Sequence, residues 1–273
     1  MKSPQLFFYL AALLFSACNN NAAPEKEEIK APAVKVESIS YGTDSTKLTG
    51  YVAYDSNATT KLPVVLIIHE WWGLNDYAKG RAKQLAELGY IAIAIDMYGD
   101  GKMGNNPDEA GKLAMPFYTN PGLAKSRFDA ALSKIKTYSQ ADSTKIAAIG
   151  YCFGGAMVLN MARLGEQLKG VVSFHGNLVG VPADKNLLKA NVLVCHGADD
   201  QFVKPEEVAT FKKQMDSIGA NYTFKQYAGA THAFSNPDAT AMGEKFKIPI
   251  AYNAAADTAS WNDMKEFFGK IFK

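Results

Sequence analysis

Cysteine is scarce in this chain of 273 residues: it has three, Cys18, Cys152 and Cys195. Three cysteines cannot build the disulfide framework of a small secreted scaffold. Neither sign of charge prevails, since 29 Lys and Arg stand against 27 Asp and Glu for a net +2. No strong field therefore favours nucleic acid or an anionic membrane surface. A basic stripe with interleaved aromatics is also missing, which argues further against nucleic acid. Histidine occurs four times. No two of these stand at the spacing of a helical metal motif, so no metal centre is expected. Internal repeats and heptad runs are absent. What remains is ordinary globular material, 48% hydrophobic and 21% charged, long enough for one large α/β domain behind a short leader.

The leader is legible. Lys2 is followed by an apolar run, Leu6 to Phe15, that is too short to span a bilayer. Ser16-Ala17 then precede Cys18, which completes a signal-peptide pattern over residues 1–17. Phe15-Ser16-Ala17-Cys18 resembles the bacterial lipoprotein processing site, although a Leu is more usual where Phe15 stands. That resemblance implies a lipidated Cys18, a membrane anchor and an exported, cell-envelope protein. The alternative is an ordinary secretory signal with Cys18 incidental. Residues 18–32 are polar, charged and poor in large apolar side chains, the composition of a flexible tether. The folded domain is expected over 33–273.

Within it, Val34–Ile39 and Leu48–Tyr54 predict a pair of strands about a Gly/Asp turn. Continuous apolar runs predict buried strands at Leu62–His69 and Ile91–Asp96. Further strands are expected at Lys145–Tyr151, Val171–Phe174, Val192–His196 and Tyr222–Tyr227. Helices are expected at Asp76–Leu88 with Gly89 as its stop, at Ala124–Tyr138, Ala156–Arg163 and Pro205–Ile218, and within Ala254–Phe272. Such alternation implies a mainly parallel sheet with helices on both faces. Ligands bind such sheets beyond the carboxyl ends of the strands.

Gly150-Tyr151-Cys152-Phe153-Gly154-Gly155 follows an expected strand and opens an expected helix. This is the setting of a nucleophile elbow with Cys in place of Ser. The glycines leave room for a tight turn. The N–H of Phe153 then points toward a bound carbonyl, and the helix N-terminus favours a thiolate and a developing oxyanion. A small buried Cys in a Gly-rich turn is the plainer alternative. An elbow needs its acid and then its histidine later in the chain. His196-Gly197-Ala198-Asp199-Asp200 offers two acids, Asp200 first and Asp199 as the fallback. His232, in Gly229-Ala230-Thr231-His232-Ala233-Phe234, follows the last strand. His69, His175 and His196 read as structural.

These motifs, together with His69-Glu70-Trp71-Trp72-Gly73, Asp96-Met97-Tyr98-Gly99, His232-Ala233-Phe234 and Ala254-Ala255-Ala256-Asp257 with Ser260-Trp261, resemble the dienelactone hydrolase family. That family is a branch of the α/β-hydrolases, and the resemblance runs from about residue 35 to the end. It implies an α/β-hydrolase fold and a Cys152-Asp200-His232 triad. It also implies a Glu70 that helps activate the cysteine as substrate binds, and a second oxyanion donor in the N–H of Trp71. The expected chemistry is hydrolysis of a small ester or lactone by acyl transfer, with no cofactor. Family members that act on dienelactone place arginines two residues after the Tyr of the Asp96 loop and four after the catalytic His. Here those positions are Asp100 and Asn236, so a neutral substrate is expected rather than dienelactone. A lipid-anchored binding protein on a degenerate hydrolase fold, or a peptidase of the same fold, is the competing reading. Cys152 and Cys195 are expected on strands two places apart, too far to bridge.

Overall fold

The computed structural model describes Met1 and residues 31–43 and 46–273. The expected leader, Cys18 and nearly all of the expected tether lie outside the described residues. Pro32–Lys273 form one compact unit. Its chain order begins with β1 (Val34–Thr43), β2 (Thr46–Asp55), β3 (Leu62–Ile68), α1 (Asp76–Glu87) and β4 (Ile91–Ile95). Next come α2 (Pro107–Thr119), α3 (Pro121–Ile135), β5 (Ala141–Tyr151), α4 (Phe153–Arg163) and β6 (Gly170–Phe174). The last elements are β7 (Asn191–Gly197), α5 (Pro205–Ser217), β8 (Tyr222–Tyr227), α6 (Ala239–Phe246) and α7 (Ala254–Ile271).

All eight strands join one sheet in the order β1-β2-β4-β3-β5-β6-β7-β8. The β1–β2 hairpin is antiparallel and packs antiparallel on β4. From β4 to β8 every neighbouring pair is parallel. This is the α/β-hydrolase fold, with helices on both faces of a mainly parallel sheet. Strand alternation divides the core. Val64, Leu66 and Ile68 of β3 pack with Phe128 of α3, Met157 of α4 and Phe211 of α5. Val65 and Ile67 face the other way, onto Ala82 and Leu85 of α1 and Met264 and Phe268 of α7. Because both faces are covered, β4 and β6 are buried along their whole length. This is why β4 reads as an unbroken apolar run and β6 carries a single polar side chain, Ser173.

Two helices escaped the sequence reading. α2 has the right opening, with the Asn106 side chain accepting the N–H of Glu109 and Pro107 at the first helical position. However, Pro116 interrupts its last turn, which masks the helical pattern. α6 is a helix of eight residues closed by Lys247 in the left-handed region, at φ 54°. α3 starts three residues earlier than expected, at Pro121, capped by the Asn120 side chain.

Candidate active site

Five loops leave the carboxyl ends of β3, β5, β6, β7 and β8 on one edge of the sheet, and each brings a functional side chain. β5 turns into α4 through Cys152, which is held at φ 52° and ψ −114°. A non-glycine residue there stores backbone strain of about 1–3 kcal/mol. The surroundings enforce it. A Cβ on Gly150 would lie 2.0 Å from the carbonyl oxygen of Gly154, and one on Gly154 would lie 2.1 Å from that of Ile68. Only glycine lets α4 start this close to β3 and β5. Phe153 is the first residue of α4, so its N–H has no carbonyl partner within the helix.

The N–H of Cys152 donates both to the Phe174 carbonyl, at 3.0 Å, and to Nδ1 of His175, at 3.1 Å. His175 is buried and itself at φ 40°. Accepting at Nδ1 puts its proton on Nε2, which donates to the Ser235 hydroxyl at 2.8 Å. Ser235 is in turn 2.7 Å from the Tyr77 hydroxyl. Burial drives the His175 imidazole well below its ordinary pKa, so it is a fixed neutral acceptor.

Asp200, rather than Asp199, reaches His232: its Oδ2 lies 2.8 Å from the ring Nδ1. The other oxygen accepts the N–H groups of Phe202 at 2.8 Å and Val203 at 3.2 Å. Asp199 is exposed. The His232 ring packs between His175 and Phe202, with centroids 5.3 and 5.0 Å away. Burial opposes its charged form. The Cys152 sulfur beside it and Asp200 outweigh that burial and raise the imidazole to about 10.

Glu70 is buried, and its Oε2 accepts from the Asn236 amide at 2.6 Å. Burial pushes its carboxyl up to about 7, although Asn236 and the charges of His232 and Arg81 hold it down. His69 donates from Nδ1 to the carbonyl of Glu70 and accepts the N–H of Met97 at Nε2, 3.3 Å away. The Glu70–Trp71 peptide is thereby oriented at its carbonyl, and the next peptide is held by the Tyr98 hydroxyl, which donates to the Trp71 carbonyl at 2.8 Å. Cys152 and Cys195 are both free thiols. β6 separates their strands, and Cys195 sits in the core, where burial pushes its thiol up to about 12.

Glu70, Trp71, Cys152 and His232 open into one cavity of about 1070 Å³. The model of the dienelactone hydrolase family matches residues 48–272. The chain belongs to that family. It is a dienelactone-hydrolase-like carboxylic ester hydrolase. Protein usf of Aquifex pyrophilus is 30% identical over 237 residues, covering 84% of this chain and 96% of its own length. Among solved structures, the dienelactone hydrolase-like promiscuous phosphotriesterase P91 from metagenomic libraries is 32% identical. It superimposes with a TM-score of 0.81 and covers 87% of this chain and 98% of its own. The structure named m3DLH is also 32% identical, with a TM-score of 0.83 over 88% of this chain and all of its own.

Measured on this dienelactone hydrolase family member, the sequence motifs fall into two groups. Cys152, His232, Glu70 and Trp71 line one cavity, with Asp200 bonded to His232 behind it and Phe153 following Cys152 into α4. The others build its frame. Asp96 accepts the N–H groups of Tyr98, Gly99 and Gly101 and so ties down its own loop. Asp257 pairs with the buried Arg81, which lies over the Trp261 ring and donates to the Ser235 carbonyl. The sequence reading left His175 structural, marked Asn236 only as a neutral position after His232, and did not single out Ser235 or Tyr77. The available signal was closeness in sequence, of His175 to the end of β6 and of Ser235 and Asn236 to His232; Tyr77, in the first turn of α1, carried none.

Proposed function

We propose that Cys152, His232 and Asp200 form the catalytic triad, and that the substrate is a neutral ester or lactone. The Cys152 thiolate adds to the substrate carbonyl, and the N–H groups of Trp71 and Phe153 hold the oxyanion. The tetrahedral adduct collapses to a thioester as His232 passes its proton to the departing alkoxide. Water then gives a proton to His232 and attacks the thioester, releasing the carboxylic acid and restoring Cys152. Asp200 keeps the imidazole proton on Nδ1 and stabilises the charged ring. Glu70 takes the thiol proton as substrate binds and returns it to the Cys152 sulfur once the acid has left. A buried carboxyl whose pKa is near neutrality suits that exchange.

The observation that carries this reading is the joint placement of the strained Cys152 and the Asp200-bound His232 on one cavity. The test compares wild type with Cys152→Ala and Cys152→Ser on a panel of small neutral esters and lactones. Turnover should vanish in the Ala variant with an unchanged circular dichroism spectrum, and a weak residue is expected in the Ser variant. Full activity without the thiol would overturn the triad. On the leader pattern of residues 1–18 we further propose a lipid on Cys18 that holds the enzyme at the cell envelope. The mass of the mature N-terminus, compared with that of Cys18→Ala, tests this. A wild-type protein beginning beyond Cys18 would refute it.

A further inference from the structure

We propose that the ester this enzyme prefers carries an extended, uncharged apolar chain of about ten carbons, seated along α4. The proposal rests on the triad reading and specifies its substrate class.

The cavity is far longer than a small lactone requires. Cys152 at the N-terminal cap of α4 and Leu164 at its C-terminal cap both line it, as does Asn160 between them. Twelve residues of helix span about 18 Å. An extended hydrocarbon advances roughly 1.25 Å per carbon at ordinary bond lengths and angles. The groove therefore accepts a chain on the order of a dozen carbons.

Its chemistry excludes a charged chain. Among the described residues, no Lys or Arg lines the cavity, and Glu70 is its one carboxylate, at the Cys152 end. The side-chain oxygens of Asn160 and Asn177 are already committed. They accept the N–H groups of Val181 at 3.0 Å and Val179 at 2.8 Å. Both residues thereby build the wall formed by residues 177–182.

The mouth carries apolar surface that water solvates poorly. Val179 is 62% exposed, Met115 56%, Phe202 42% and Tyr118 38%, and all four line this cavity. Isolated exposed hydrophobics are ordinary, but a cluster around one opening marks a binding groove. A hydrocarbon chain covers these side chains as it enters, and each methylene raises kcat/KM by at most about fourfold, the value for full burial, and by less at an open mouth.

Two ester series test this below their micellar concentrations. p-Nitrophenyl acylates from acetate to dodecanoate lengthen the acyl side, and acetates of ethanol to decanol lengthen the alcohol side. One series should rise at least tenfold in kcat/KM from two to eight carbons. In Val179→Asp and Met115→Asp, the eight-carbon to two-carbon ratio should fall at least threefold. A ratio taken within one variant cancels any loss of folded protein. Flat or falling profiles in both series, with acetate still cleaved in a Cys152-dependent way, would overturn the proposal and leave the triad standing. A rising profile untouched by both substitutions would overturn it as well, because the chain would then lie elsewhere. Loss of Cys152-dependent hydrolysis on every ester would overturn the triad reading itself.

Discussion

The backbone N–H of Cys152 donates to a histidine other than the one beside its sulfur: it points at Nδ1 of His175, 3.1 Å away. His232 lies beside the sulfur, and His175 holds the peptide that carries it. The second contact matters because Cys152 sits at φ 52°, a conformation its neighbours must sustain.

His175 is therefore a positioning residue. His175→Phe keeps the ring volume and removes the acceptor. We expect kcat to fall by about ten- to 100-fold with KM little changed, because a small displacement of the nucleophile weakens attack more than binding. His175→Asn, whose amide oxygen can accept the same N–H, should recover part of the rate. Equal loss in both variants, or a loss confined to KM, would count against positioning.

His69 does a matching service for the proposed oxyanion donor. A trans peptide points its N–H opposite to its carbonyl. By donating to the Glu70 carbonyl, His69 turns the Trp71 N–H away from itself, on the same peptide. His69→Phe should lower kcat by roughly ten- to 100-fold. It should weaken an aldehyde inhibitor, which forms a tetrahedral adduct with the thiol, by a similar factor. His69→Gln, which keeps a donor, should lose less. An unchanged inhibitor affinity in His69→Phe would separate this histidine from the oxyanion site.

Glu70 predicts a pH dependence. Its carboxyl lies at about 7 because burial disfavours the anion. The proton-accepting form is the carboxylate, so kcat/KM should rise with pH and level off above 7. Glu70→Gln should lower the plateau and abolish that inflection. The Asn236 amide donates to the carboxylate and stabilises it. Asn236→Leu removes the donor, so the inflection should move upward, by about one pH unit for a hydrogen bond to a charged group. A downward move, or an inflection that survives in Glu70→Gln, would assign the titration to another group.

Much of this site is legible in sequence because its constraints are local. Gly150 and Gly154 are required by backbone contacts of 2.0 and 2.1 Å, and a turn that tolerates only glycine leaves a motif. The apolar runs of β3 and β4 record a sheet covered on both faces. His175 left no such mark, because its partners Ser235 and Tyr77 lie 60 and 158 residues away from it or from each other. On paper Asp200 stands first with Asp199 as a fallback, and the loop geometry that hands Phe202 and Val203 to Asp200 decides between them. The cavity was the least legible feature. Its wall includes Met115 and Tyr118 of α2, the helix whose pattern Pro116 obscures.

Charge selectivity is the sharpest consequence of that wall. Of the two positions where dienelactone-cleaving relatives carry arginine, Asp100 is ion-paired with Lys102 at 3.4 Å, and both side chains are more than half exposed. Neither lines the cavity. Asn236, at the other position, spends its amide on Glu70. A substrate carboxylate would thus leave water without a Lys or Arg partner and approach Glu70. Charge-assisted hydrogen bonds contribute about 1.5–3 kcal/mol each, so missing two of them corresponds to a disadvantage of about 100-fold or more. A neutral methyl ester of a carboxylate-bearing lactone should accordingly exceed the free acid in kcat/KM by that order. Since Glu70 gains its charge as pH rises through about 7, the discrimination should widen from pH 6 to pH 8, where the substrate carboxylate itself is already fully ionised. Measuring both substrates across that range checks the sign as well as the size. A preference for the free acid, or discrimination that narrows with pH, would mean that a cation outside this wall reaches the bound substrate.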